Sequence, residues 1–275
     1  MLAALLITLR EGLEAALVVG ILLGVLRKLG RADRGRVVWA GVVAAVIVSL
    51  AFGLALNALG IAFEGRGEEV FEGIAMLLAA GVLTWMVFWM QHQGRQVQLG
   101  LEREARQAVA GNDARMLFGL SFVAVVREGI ETALFLTAAA FRATTGQTLI
   151  GGALGLFGAV ALAWIVFVGG RQLDVRAFFR ATGFLLILFA AGLLAHGLHE
   201  LQEAALLPII VEHVWDINPI LSEESVVGSL LKALFGYNGN PSLLEVVSYV
   251  GYFAAIWMVG QRNRRTSARI ASAAP

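Results

Sequence analysis

Long apolar blocks alternate with short polar stretches along the chain. Each block has about the 20 residues that a helix needs to cross a hydrocarbon core about 30 Å thick. Seven such segments are predicted, near residues 2–26, 37–60, 70–91, 116–141, 149–170, 181–204 and 243–260. The pattern predicts an all-α polytopic membrane protein with seven transmembrane helices, folded as a single transmembrane domain over residues 1–275.

The composition supports a membrane protein. Hydrophobic residues make up 59% of the chain and charged residues 15%, whereas a soluble domain carries about 25% charge. A soluble chain of this size could not bury so many apolar blocks. The absence of cysteine excludes disulfides and thiolate metal sites. The first segment lacks the basic start of a signal peptide and carries Arg10, Glu11 and Glu14 in its middle, so we interpret it as a retained helix.

Basic residues are concentrated in alternate loops. The loops at 27–36, 92–115 and 171–180 and the tail at 261–275 hold 16 of the 21 lysines and arginines. The opposite loops hold only Arg66, Arg142 and Lys232. The positive-inside rule therefore predicts an external N-terminus and a cytoplasmic C-terminus. Acidic residues favour the opposite, external side: Glu64, Glu68, Glu69, Glu72, Glu212, Asp216, Glu223 and Glu224.

Two of the apolar segments resemble each other. Residues 6–20 read LITLREGLEAALVVG, and residues 123–137 read VAVVREGIETALFLT. Three segments fill each repeat, so the second copy crosses the membrane in the opposite sense. This arrangement predicts an inverted 3+3 repeat with a substrate site near the bilayer midplane. Repeat one covers about 1–91 and repeat two about 116–204, followed by an external loop at 205–242, a last helix at 243–260 and a cytoplasmic tail at 261–275.

Each repeat carries an Arg-Glu-Gly-x-Glu motif near the middle of its first helix. Residues three and four apart share a helix face, and each ionisable group at a helix centre costs about 2.5–3.5 kcal/mol on insertion. The motif side chains should therefore face the bundle interior and compensate one another. The candidate metal ligands are Glu11, Glu14, Glu128 and Glu131, and the supporting residues are Arg10, Arg127, Gly12 and Gly129.

The charges in the two motifs do not balance. Four carboxylates and two guanidinium groups sum formally to −2, so either burial keeps some carboxylates protonated or a cation completes the site. Clustered carboxylates suit hard ions such as magnesium, calcium, manganese or iron. The alternative is that the pairs merely hold helices together, but such a role calls for balanced charge.

Two further groups of residues face the predicted external side. His196, His199, Glu200 and Glu203 share one helix face and form a candidate capture site, since imidazole and carboxylate together bind transition metals. The alternative is a helix end wetted by solvent. Glu64, Glu68, Glu69 and Glu72 form a candidate external acidic funnel that would gather cations, or simply a solvated loop.

Two features of the predicted external loop concern its helices. Residues 223–235 are predicted to form a short amphipathic helix on the outer surface, closed by Gly236. Ser242 and Glu245 have the spacing of a capping box at the start of the last helix.

The paired motifs resemble those of the oxidase-dependent iron permeases of fungi and bacteria, which include the bacterial Efe-type permeases. That family carries REGxE in its first and fourth transmembrane helices, as do residues 10–14 and 127–131 here. The resemblance implies high-affinity iron uptake across the cytoplasmic (inner) membrane, with Glu11, Glu14, Glu128 and Glu131 as iron ligands. It implies that ferrous iron is oxidised outside and that the ferric product is handed over by an extracytoplasmic iron-oxidising or iron-delivering protein. Iron would be the substrate, with no prosthetic group and no nucleic-acid partner.

Other functions compete with iron uptake. A permease for manganese or lead would show the same motif, and a proton-conducting or structural membrane subunit would use the carboxylates as a relay. An intramembrane enzyme is disfavoured, because the sequence has no HExxH motif and no Ser-His pair at membrane depth. We therefore predict a transporter and not an enzyme.

Overall fold

The computed structural model describes residues 1–141, 144–167, 174–223 and 225–273, with their side chains except at 91–98, 145, 175, 226, 233 and 262–273. Regular structure in these ranges is entirely helical, as predicted. The helices are α1 (Leu2–Lys28), α2 (Gly35–Ala62), α3 (Arg66–Ala110), α4 (Ala114–Ala140), α5 (Thr145–Phe167), α6 (Val175–Glu203), α7 (Val226–Phe235) and α8 (Leu243–Ala273), with a 3-10 turn at Ala32–Arg34. Arg142, Arg171 and Glu224, which entered the charge argument, lie outside the described residues.

Within the part of the chain that the structure describes, five segments are long and apolar enough to cross a membrane: Ala32–Ala62, Arg66–Met90, Gly146–Phe167, Arg176–Glu203 and Leu243–Gln261. Helices α1 and α4 are not among them, although each has 27 residues and so a length of about 40 Å. Each carries three charged residues within five positions, at 10–14 and 127–131. The three motif charges, and not a lack of apolar residues, therefore set these two helices apart, and the seven-helix count stays a prediction.

One predicted loop is wrong. The stretch at 92–115 is mostly helical, because α3 continues to Ala110 and only residues 111–113 form the turn. Leu101, Ala105 and Ala108 lie at i, i+4 and i+7 and pack against residues of α1 and α4. This apolar stripe is too sparse to raise the mean hydropathy, so a segment search overlooks it. The predicted tail is also helical, since α8 continues to Ala273.

Helices from the two halves of the chain pack in matched pairs. The largest contacts join α1 with α5, α2 with α4 and α3 with α6. A Cβ at Gly12 would lie 2.9 Å from Ala159 Cβ, between α1 and α5. At the matching position 117 residues later, a Cβ at Gly129 would lie 2.6 Å from Ser49 Cβ, between α4 and α2. The motif glycines therefore allow close helix packing, as small residues do in membrane helices.

The order of the contacts gives the relative direction of each pair. Along α1, Met1 lies beside Gly151 and Gly12 beside Ala159, so α1 and α5 run parallel. Gly41 lies beside Ser121 and Ser49 beside Gly129, so α2 and α4 are parallel too. Gly73 lies beside Gly197 and Gly183 beside Val87, so α3 and α6 are antiparallel. Six consecutive helices that cross a membrane in alternating directions would produce this pattern.

Gly155 offers a test of the close packing between α1 and α5. A Cβ there would overlap the Leu5 carbonyl oxygen and the Thr8 hydroxyl. We expect Gly155→Ala to destabilise the protein by about 1–3 kcal/mol, the usual cost of overpacking. The matched control is Gly251→Ala, because a Cβ at Gly251 meets no described atom within 4 Å. Thermal unfolding in detergent should show a lower Tm for the first variant only, and equal Tm values would contradict the packing.

Contacts between connecting segments define two ends of the bundle. At one end, which we call the basic end, the Arg31 and Arg34 guanidinium groups both donate to Asn112 Oδ1. Two of the basic loops predicted to be cytoplasmic therefore meet. At the other end, which we call the acidic end, His199 of α6 contacts Glu245 of α8 at 3.0 Å.

Helix α7 does not simply lie on the outer surface. Ser225 caps its start, and Gly236 ends it with φ 72°. A Cβ at Gly236 would overlap the backbone of Gly192, which lies 11 residues before the end of α6 at Glu203. The Tyr249 hydroxyl of α8 also donates to the Phe235 carbonyl at 2.8 Å. The end of α7 therefore reaches about 16 Å down from the end of α6.

Candidate metal centre

The two motifs lie between two apolar clusters. The cluster toward the acidic end contains Ile7, Met76, Leu83, Phe135 and Leu193. The cluster toward the basic end contains Leu22, Leu26, Val38, Leu117 and Val125. Along both α1 and α4 the motif residues fall between members of the two clusters. The charged groups therefore occupy a polar layer with packed hydrocarbon on each side.

Three of the four predicted ligands converge in this layer. One carboxylate oxygen from each of Glu11, Glu128 and Glu131 lies within 4.8 Å of the other two. An ion equidistant from three oxygens at that separation would be about 2.8 Å from each, close to the 2.0–2.6 Å of metal–oxygen bonds to hard cations. Small rotations of buried side chains would complete the ligation. We call these three residues the carboxylate triad.

Unsatisfied oxygens are concentrated at this site. Among the described residues, six buried side-chain atoms lack a hydrogen-bond partner, and five of them belong to the motifs. They include one oxygen from each of the four glutamates: Glu11 Oε2, Glu14 Oε1, Glu128 Oε2 and Glu131 Oε2. Buried polar atoms in folded proteins are nearly always satisfied. Glu14 Oε1 still has the Arg10 guanidinium at 3.2 Å, but the other three oxygens, one from each of Glu11, Glu128 and Glu131, are what a cation site requires.

Glu14 has a different role from the triad. Its Oε1 lies 3.2 Å from Arg10 Nη2, and its side chain is 14% exposed. It therefore borders the triad as a fourth carboxylate whose charge is partly met by Arg10.

Contacts with residues of α1 and α3 hold the Arg10 side chain in place. Its side chain is 1% exposed, and Nη1 donates to Glu11 Oε1 at 2.8 Å. The same group faces the thioether sulfurs of Met86, 3.2 Å from Nη1, and Met90, 2.9 Å from Nη2. Helix α3 thus supplies soft acceptors that hold the guanidinium against the glutamates of α1.

Arg127 occupies the equivalent position in the second motif but has another environment. Its Nε donates to Glu131 Oε1 at 2.9 Å, and its side chain is 35% exposed. The guanidinium carbon lies 4.7 Å from the ring centroid of Trp89 and 5.8 Å from that of Trp85, within the range of cation–π attraction. The two motifs share the same Arg-Glu-Gly-x-Glu pattern, yet Arg10 is buried and Arg127 lies over the rings of two tryptophans.

The predicted capture residues form two pairs along α6. His196 Nε2 lies 3.5 Å from Glu200 Oε1, and His199 Nε2 lies 3.3 Å from Glu203 Oε1. Glu200 lies near the acidic residues of the predicted funnel. Glu72 of α3 is close enough to Glu200 and Glu68 to interact electrostatically with both. Glu200 in turn interacts with Glu68 and Glu69. Glu64 precedes α3 and is exposed.

Comparison with known proteins gives the family. The Iron permease FTR1 family model matches residues 1–261. The chain belongs to the FTR1 iron permease family. The ferrous iron permease EfeU of Escherichia coli O6:K15:H31 (strain 536 / UPEC) is 37% identical over 265 residues, which cover 94% of this chain and 92% of the relative. The ferrous iron permease EfeU of Yersinia pestis is 35% identical over 255 residues, or 92% and 90%. No solved structure matches the chain.

Sequence reasoning missed several neighbours of the site in this FTR1-family chain. Met86, Met90 and Trp89 contact the motif arginines from α3, and in sequence they look like ordinary apolar residues. Glu245 was predicted only as a helix cap. It does cap α8, since the Ser242 N–H donates to Glu245 Oε1 at 3.1 Å, but it also contacts His199.

Proposed function

We propose that this chain is an iron-uptake permease of the cytoplasmic membrane in which the carboxylate triad holds the ion in transit. The convergence of Glu11, Glu128 and Glu131, with their orphaned oxygens, carries the proposal. All-oxygen donor sets suit hard cations, iron among them. Membership of the FTR1 family and the naming of its relatives as iron permeases support iron as the cargo.

The charge of the centre favours a divalent ion. With its six groups ionised the centre carries −2, so Fe²⁺ would neutralise it and Fe³⁺ would leave +1. The relatives are named for ferrous iron, whereas the sequence resemblance implies ferric iron from external oxidation. We expect the isolated chain to carry ferrous iron faster, and ferric iron to need delivery by an extracytoplasmic partner.

We propose a topology of seven spans with the acidic end outside. The matched packing of α1 with α5 and α2 with α4 supports an inverted repeat, and the meeting of Arg31, Arg34 and Asn112 supports a cytoplasmic basic end. In this orientation a divalent ion moving inward across 100 mV gains roughly 4.6 kcal/mol. Uptake therefore needs no nucleotide hydrolysis.

Transport by the purified chain tests the proposal. Proteoliposomes with an inside-negative potential receive radioactive ferrous iron, ferric iron or manganese in separate experiments. In a further experiment without added metal, a proton-sensitive dye reports proton flux. The expected result is saturable, potential-dependent iron accumulation, with ferrous iron favoured. Uptake of manganese but not of iron would show that the transported ion is manganese. Proton flux without any added metal would instead support a proton channel.

A further inference from the structure

A second polar region lies at the acidic end, beyond the apolar cluster that covers the carboxylate triad. It is a cavity of about 380 Å³ between α6, the start of α8 and the segment 205–242. Three of the four histidines of the chain line it: His196, His199 and His213. Four glutamates also line it, against one lysine, and Lys232 is already paired with Glu223 at 2.6 Å. The cavity is therefore rich in metal-binding side chains.

His199 is oriented in the way that metal-binding histidines usually are. Its Nδ1 lies 3.0 Å from Glu245 Oε1. Glu245 is itself fixed, because Oε1 accepts from the Ser242 N–H and Oε2 accepts from Asn238 Nδ2 at 2.8 Å. Histidine ligands almost always donate their second ring nitrogen to such a carboxylate, which sets the tautomer and turns the other nitrogen toward the metal.

The second ring nitrogen of His199, Nε2, faces another carboxylate. Since Nδ1 donates to Glu245, Nε2 of a neutral ring carries a lone pair, and it lies 3.3 Å from Glu203 Oε1. Two acceptors at that distance need either a proton or a metal ion between them. His196 lies next to the pair, with its ring stacked on that of His199 at a centroid distance of 5.8 Å.

We propose that this cavity binds a hydrated divalent transition-metal ion through His199 Nε2 and Glu203, with Glu245 as the positioning residue. Mixed imidazole and carboxylate donors suit first-row ions such as ferrous iron. The cavity has room for several waters, each occupying about 30 Å³, to fill the remaining coordination positions. Few protein ligands and many waters make the site weak and reversible, as a capture site must be.

This inference deepens the proposed function and rests on it for the identity of the cargo. It revises the predicted capture site: Glu200 lies near Glu72, while Glu203 and Glu245 lie beside His199. The bland alternative is that His199 only reinforces the cap of α8. In that role a protonated His199 would bridge Glu245 and Glu203 without a metal ion, and the cobalt titration separates the two possibilities.

Cobalt binding separates the two sites. In the full chain, all four motif glutamates are replaced by glutamine, which removes the carboxylate centre. This variant is placed in lipid nanodiscs and titrated with Co²⁺. We expect one bound Co²⁺, with imidazole protons shifted far outside the normal range in the proton NMR spectrum. Adding His199→Gln or Glu203→Gln should weaken binding at least tenfold, because each removes a ligand. His213→Gln is the matched control, since it alters the same cavity wall without removing a proposed ligand, and it should bind as before.

Two results would overturn the proposal. The first is that no Co²⁺ binds, or that Co²⁺ binds without shifting any imidazole protons. The second is Co²⁺ binding that survives both His199→Gln and Glu203→Gln. Size-exclusion profiles and thermal unfolding of each variant show whether it is folded. If the motif background itself does not fold, the same substitutions are compared in the wild-type chain, where one of two bound Co²⁺ ions should disappear. Failure of iron transport with intact Co²⁺ binding would instead reject the proposed function and leave the cavity site standing.

Discussion

Replacing Glu131 by glutamine is expected to lower iron uptake by at least about 100-fold. The substitution keeps the size of the side chain but removes one of three converging carboxylates. Loss of even an outer-shell partner usually costs 10–100-fold in metal affinity, and loss of a ligand costs more. The measurement is initial uptake of radioactive iron into proteoliposomes at equal protein content.

Two comparisons make this result specific. Glu104→Gln changes an exposed glutamate on the extension of α3 and should transport like wild type. Glu14→Gln should have a milder effect than Glu131→Gln, because Glu14 lies beside the triad and pairs with Arg10. If Glu131→Gln transports as fast as the Glu104 control, the motif carboxylates serve the fold and not the ion.

Replacing Arg10 by glutamine is expected to destabilise the ion-free protein by about 3–5 kcal/mol, the usual cost of removing one partner of a buried ion pair. Arg10 is almost fully buried and neutralises Glu11 and Glu14, so its loss leaves two carboxylates unpaired between apolar layers. Arg127→Gln should cost clearly less, because Arg127 pairs with Glu131 alone and its loss leaves one carboxylate unpaired instead of two.

Thermal unfolding without added metal compares the two arginine variants directly. We expect a much larger fall in Tm for Arg10→Gln than for Arg127→Gln, although both motifs have the Arg-Glu-Gly-x-Glu pattern. Leucine in place of Met86 is a useful further control, because Met86→Leu removes the sulfur acceptor near Arg10 but keeps both glutamates paired. Equal losses for the two arginine variants would contradict the asymmetry between the motifs.

The helices and the convergence of the motifs could be predicted from sequence, because both depend on local patterns. Apolar blocks set the positions of α1 to α6 and α8. The cost of burying Glu11 and Glu131 forces them inward wherever the helices pack. The prediction of a short helix closed by Gly236 also holds, since a glycine with positive φ is a local signal.

Other features depend on contacts between distant parts of the chain. Arg10 and Arg127 differ because α3 presents Met86 and Met90 to one and Trp89 to the other. Nothing within either motif encodes that difference. The second role of Glu245 likewise arises only when α8 packs beside His199 of α6. The inward reach of α7 depends on Gly192, a residue 44 positions before Gly236 that shows no local signal.

Anomalous diffraction at the iron absorption edge, from crystals of the full chain grown with ferrous iron, shows directly whether the carboxylate triad binds the ion. We expect an iron peak within bonding distance of Glu11, Glu128 and Glu131, and no such peak in crystals of Glu131→Gln. Iron bound elsewhere, with the three carboxylates engaged only with Arg10, Arg127 or each other, would contradict it.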